Sequence, residues 1–391
     1  MIKDPMALTV VLVGITAGVY VLSEISWVSR FFRYFPPVVW MYFVPMILST
    51  LGILPSAHPL YDSLADYALP MALLLLTVST DLRAIASVGA SALLVLVIGA
   101  LGVGVGSILA YLIVQAWLPN DAWQAFAMLC ASWIGGSANL VAVQQSLGVS
   151  ASYVGPIVVV DTVIAYSWLG VMIALATHQA SINRFLDADV SRLNAVEARL
   201  QESSPSARPV SVQVICIIVG VAFVGAYLAR ALAETLPELG SPKIITATTW
   251  TILVSVTVGL FVSGLKVGHA ARRHRASEYA YAALFLLLVS VGAQADLRAV
   301  GEAPLFLLGG MVVLVTHLAC LLVACRLLRL PVFFVAVGSM ANIGGAVSGP
   351  IAATAYRPAL APVGALLGVA GYILGIYLPL AIAWILSAVA S

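Results

Sequence analysis

Charge is what this chain most conspicuously lacks. Asp, Glu, Lys and Arg make up 9% of its 391 residues, whereas a soluble domain carries about 25%. A water-soluble globular fold is thereby excluded. A formal net charge of only +2 leaves nothing to suggest nucleic-acid binding. Cysteine is also scarce. Cys130, Cys216, Cys320 and Cys325 all lie in apolar stretches without CxxC or Cys/His spacing, and read as small core residues. HExxH, GxSxG and Walker patterns are missing, as is any nucleophile–base pair or metal cluster. The chain therefore reads as neither an enzyme nor an ATP-driven pump, and no cofactor is implied beyond Na+ as a coupling ion. What is present is apolar: 62% of residues, with a mean hydropathy of +1.09. Those figures belong to a polytopic, all-α membrane protein. Its first run, residues 6–25, is long enough to span and lacks a small-residue cleavage site, so it reads as a retained helix.

Runs of membrane length fall into two sets of six. The first set is 6–25, 35–55, 64–80, 87–117, 122–147 and 153–178; the second is 210–233, 243–265, 278–295, 303–327, 331–355 and 359–388. Between them, residues 179–209 form a polar linker. Phe185, Leu186, Val190, Leu193, Val196 and Leu200 fall there at helical spacing, the pattern of an amphipathic surface helix. The two sets are related. Asp81-Leu82-Arg83-Ala84 is matched by Asp296-Leu297-Arg298-Ala299, Ile134-Gly135-Gly136 by Ile343-Gly344-Gly345, and Val154-Gly155 by Val363-Gly364. The chain thus divides into a repeat over 1–178, the linker over 179–209, and a second repeat over 210–391.

The Gly-Gly pairs interrupt two of these runs at matched positions. A lone Gly-Gly in a membrane helix reads as close packing. Two in corresponding places, each with an Asn within three residues, point instead to the unwound segments of a transporter's substrate site. Basic residues, which favour the cytoplasmic side, bear on how these segments run. If all twelve runs cross, the 18 Lys and Arg divide 11 to 7; if each Gly-Gly run is a re-entrant hairpin, they divide 14 to 4. The hairpin arrangement gives five crossings per half, inverted repeats, an outside N-terminus and an inside linker. The other reading is a broken helix that crosses.

Half-helix N-termini suit an anion, and unwound carbonyls suit a cation. Gly135, Gly136, Ser137 and Asn139 at the first break, with Asn342, Gly344, Gly345 and Ser348 at the second, are the candidate substrate contacts. Asp161 is the clearest acidic residue deep in a run, a functional hypothesis by default. With Thr162, Ser132 and Ser339 it forms the candidate cation-coupling set. Its counterpart in the second repeat is Ala370, so the site is asymmetric. His317 reads as a hydrogen-bonded packing residue or a proton relay, Asp81 as a helix cap or half of an ion pair with Arg83.

The stretch Ile134–Val143, Asp161-Thr162, Ser339–Gly345 and the closing Pro362–Gly375 resemble the YjcL-like family of bacterial and plastid integral membrane proteins. That family is similar in organisation to the glutamate:sodium, citrate and bile-acid symporters of the cation antiporter/anion transporter superfamily. The resemblance implies a bacterial inner-membrane protein of inverted repeats. It also implies a scaffold that forms a homodimer and a core that carries substrate elevator-fashion. The expected function is symport of a small organic anion or amino acid with Na+ or H+; the alternatives are a cation/proton exchanger or a channel.

Overall fold

The computed structural model describes residues 2–26, 28–32, 37–191, 193, 211–240, 245–295 and 297–390. Arg33, Arg192, Val196, Arg199, Leu200, Arg208, Lys243 and Asp296 of the sequence reading, with most of the linker, lie outside the described residues. Within them the chain is helical, and all twelve apolar runs coincide with helices. The principal ones are α1 (Pro5–Glu24), α2 (Pro37–Thr50), α3 (Pro59–Val78), α4 (Ala90–Val114), α5 (Trp123–Leu147), α6 (Val154–Leu175), α7 (Val212–Ala233), α8 (Ala247–Ser263), α9 (Lys266–Arg273), α10 (Ala276–Gln294), α11 (Ala303–Leu327), α12 (Val332–Ile343), α13 (Gly345–Tyr356) and α14 (Ala361–Ala390). Among the described residues nine helices are long and apolar enough to cross a membrane, or ten if α8 and α9 count as one bent span.

Local chemistry sets where these helices begin. The Asp4 carboxylate accepts from the Ala7 amide at 2.7 Å, ahead of Pro5 at the first helical position of α1. His58 Nδ1 accepts from the Leu60 amide at 3.1 Å, ahead of Pro59 in α3. Thr246 and Thr249 form a reciprocal capping box on α8. Each cap satisfies amides that an apolar helix cannot satisfy itself. Asp81 is also a cap: Oδ1 accepts from the Arg83 and Ala84 amides at 3.1 and 3.0 Å, opening the short helix Leu82–Ser87.

The chain forms two compact units, and neither is a continuous half of the sequence. The first comprises 1–79, 144–162 and 208–306, and the second 80–143, 163–207 and 307–391. Each therefore draws on both halves of the sequence. In the first unit the packing among α1, α2, α3, α7, α8 and α10 is matched between the two halves, whereas α9 has no counterpart among the described residues. α2 packs on α10 as α8 packs on α3; α1 meets α2 and α10 as α7 meets α8 and α3. Small residues allow these approaches, because lipid offers no hydrophobic drive between helices. A Cβ on Gly292 of α10 would strike the Tyr42 main chain of α2, and one on Gly259 of α8 would strike Thr77 of α3.

The second unit is built around α14, which packs on α4, α12 and α13. Its core includes Val95, Leu96, Phe333, Phe334, Met340, Leu367 and Met172, all buried. The helices α12 and α13, of 12 residues each, are separated by one residue and pack against one another. At 1.5 Å per residue each is about 18 Å long, short of the roughly 30 Å of hydrocarbon.

Candidate functional site

Both sequence breaks are breaks in the backbone. In α5, Gly136 takes φ 76° and ψ −173°, a conformation outside any helix. At the start of α13, Gly345 takes φ 64°. Only glycine adopts these angles without strain. Neither position is filled on its open side. A Cβ on Gly345 would meet nothing within 4 Å, and one on Gly136 would meet only the Tyr372 ring at 3.5 Å.

The two breaks meet on one face of α14, within the second unit. Gly364, Gly368, Gly371 and Gly375 recur at i, i+4, i+7 and i+11, which is one helix face. Gly364 lies against Gly349 of α13, and Gly368 against the Gly345–Ala346 main chain. Gly371 lies against the Ile134 carbonyl of the first break, with the Ala341 carbonyl of the second 3.5 Å from its Cβ position. Gly375 lies against Gly135 and the Asn139 side chain. Asn139 Nδ2 donates to the Tyr372 carbonyl at 2.9 Å. A glycine ladder thus brings two interruptions about 200 residues apart in the sequence onto a common surface.

Polar groups around the second break are bound in a definite order. Nδ1 of His317 faces the Gly99 carbonyl at 2.8 Å, and a carbonyl can only accept, so Nδ1 carries the proton. In the neutral ring Nε2 is then an acceptor, and the Ser339 hydroxyl donates to it at 2.9 Å. Ser339 Oγ in turn accepts from Trp168 Nε1 at 2.8 Å. His317 and Ser339 are both fully buried. Beside them the Asn342 amide nitrogen donates to the Leu96 and Gly338 carbonyls at 3.2 and 3.0 Å. This fixes the orientation of the amide and leaves Oδ1, fully buried, as an acceptor with no partner among the described residues. At the first break buried Trp133 has an indole N–H with no partner.

Gly135, Gly136, Asn139, Gly344, Gly345, Ser348, Asn342 and Ser339 all lie in the second unit with the α14 ladder, as do Ser132 and Ser137. Asp161 and Thr162 do not; they belong to the first unit, whose boundary falls within α6. There Asp161 is half-buried and interacts electrostatically with Tyr42, whose buried hydroxyl has no hydrogen-bond partner among the described residues. The sequence reading quoted the glycines of 362–375 only as a family pattern. Their 4-3-4 spacing was the signal that they form a face. Trp168 had no such signal.

An all-helical chain with this many apolar spans, interrupted by paired glycine breaks on a shared helix, defines a polytopic integral membrane protein. It belongs to the DUF819 family, proteins of unknown function, which it matches over residues 11–389. It is also 26% identical over 345 residues to "Uncharacterized membrane protein YjcL" of Bacillus subtilis (strain 168), across 85% of each chain.

Proposed function

We propose that this protein is a secondary active transporter, a symporter that moves a small organic anion or amino acid together with Na+ or H+. The observation that carries this reading is the meeting of both breaks on the α14 glycine face. Two half-helices restart there, at Ser137 and at Ala346, and half-helix starts favour an anionic group. Unwound carbonyls at the same place favour a cation. Gly135, Gly136, Ser137, Asn139, Asn342, Gly344, Gly345 and Ser348 take the substrate. Asp161 and Thr162, with Ser132 and Ser339, take part in cation coupling.

The mirrored packing of the first unit supports inverted repeats. The contact between α12 and α13, each too short to span alone, supports a re-entrant hairpin. An elevator motion of the second unit, and a homodimer formed through helices of the first, complete the reading. A cation/proton exchanger is the second possibility, because Asp161 lies beside the unbonded Tyr42 hydroxyl.

The test is a thermal-shift screen of purified protein against carboxylates and amino acids with and without Na+, followed by uptake of each hit into proteoliposomes. Asn139→Ala and Asp161→Asn should each lower uptake at least tenfold. Wild-type uptake by both variants would overturn the site. Cation flux driven by a pH gradient without any organic solute would favour the exchanger.

A further inference from the structure

At the end of α8 the chain turns by 93° into α9. This corner is tightly built. A Cβ on Gly268 would strike the Ser263 main chain, so only glycine lets α9 lie this close. Arg272 Nη1 donates to the Ser263 carbonyl at 3.0 Å and holds the bend from the other side. Arg275, at φ 55°, then turns the chain into α10 and pairs with Glu278 at 2.6 Å. The eight-residue helix is thus a shelf fastened between α8 and α10 and lying across the direction of α8.

Its residues are sorted by face. Lys266, His269 and Arg273 recur at i, i+3 and i+7 and are all exposed. Val267, Ala270 and Ala271 occupy another face, and Val267 is 56% exposed. Phe261 and Leu265, 74% and 47% exposed, adjoin the shelf at the end of α8. Glu278, the one acidic residue between Leu265 and Tyr279, is already bound to Arg275. Lys266 and Arg273 have no acidic partner among the described residues.

We propose that this shelf binds the headgroups of anionic phospholipids through Lys266, His269 and Arg273, with Val267, Leu265 and Phe261 against the acyl chains. Attachment to the apolar helix α8 at one end and the membrane-length helix α10 at the other holds the shelf at the membrane surface, where basic side chains meet phosphate and exposed apolar ones meet hydrocarbon. A soluble anion would use the cationic face and leave the apolar one in water.

Full-length protein in lipid-free detergent, titrated with dioleoyl phosphatidylglycerol or dioleoyl phosphatidylcholine and followed by native mass spectrometry and thermal melting, tests this. Phosphatidylglycerol should be retained and raise the melting temperature, with phosphatidylcholine much weaker. Lys266→Gln with Arg273→Gln should weaken phosphatidylglycerol binding about tenfold or more, and raised salt should weaken it in the parent. If the double variant melts early without lipid, Lys266→Gln alone gives the same test with a loss of about threefold or more. Unchanged affinity in the folded variants, or equal binding of the two lipids, would overturn the proposal. So would displacement of the lipid by glycerol 3-phosphate at similar concentration, which would assign a soluble-anion site.

Discussion

Gly345 and Gly375 lie at the same meeting point but are glycine for different reasons. Around Gly345 there is room for a side chain, and only the positive φ resists one. Gly345→Ala should therefore cost about 1–2 kcal/mol, the penalty of a left-handed L-residue. Gly375 has ordinary helical angles but no room, since Asn139 and the Gly135 main chain occupy the space. Gly375→Ala should melt at a lower temperature than Gly345→Ala, because the backbone on the other side must yield. The reverse order would mean that the breaks do not seat on α14 as described. A second residue-scale prediction concerns the buried His317–Ser339 pair. His317→Phe and Ser339→Ala each strand a buried hydrogen-bonding group, at about 1–3 kcal/mol. The double variant should lose less than the sum by about 0.5 kcal/mol or more, read from unfolding in detergent. The Gly-Gly pairs and their asparagines were visible in the sequence because they disturb an otherwise uniform apolar run. The tie of Ser339 to His317 and Trp168 was not visible. It joins three helices, and nothing in the order of residues says which helices touch.

For whole elements, apolar length was a sufficient guide, and each of the twelve runs became helical. It could not distinguish a span from a turn within the membrane. Residues 331–355 read as one run but form two contacting helices separated at Gly344, because hydropathy does not register a break in the backbone. Thiol labelling can decide how that pair enters the bilayer. In a background without native cysteines, Arg326→Cys and Ala359→Cys flank the pair at exposed positions. Both should react with an impermeant reagent from the same side; labelling from opposite sides would make the pair a crossing. The corner at Ser263 was equally hidden, since Gly268 and Arg272 act on it only after the chain has turned. The Asp81 cap gives a smaller prediction. Asp81→Ala should cost about 0.5–2 kcal/mol of stability without affecting uptake.

For the molecule as a whole, three landmarks in order suggest a repeat, but nothing in the sequence pointed to the two units. A sequence search looks for boundaries along the chain, and here the units are assembled from alternating stretches of it. With hairpins at both breaks the chain makes ten crossings, so its two ends should face the same side. Alkaline phosphatase fused after Ala390 should then be active outside the cell, and a fusion in the linker between the repeats should be inactive.

The alternation of stretches also governs how this protein can be made. The helices α1 to α3 reach the membrane early, yet their partners α7, α8 and α10 are not translated until residue 294. At ~5–20 residues per second this is a wait on the order of ten seconds or more. During that interval the glycine-sized gaps on Gly259 and Gly292 do not yet exist to be filled, and lipid must cover the faces that later close. A ribosome that stalls midway leaves no finished unit behind, only unmatched helices. Truncated chains of this protein should therefore be substrates for membrane proteases rather than stable half-molecules.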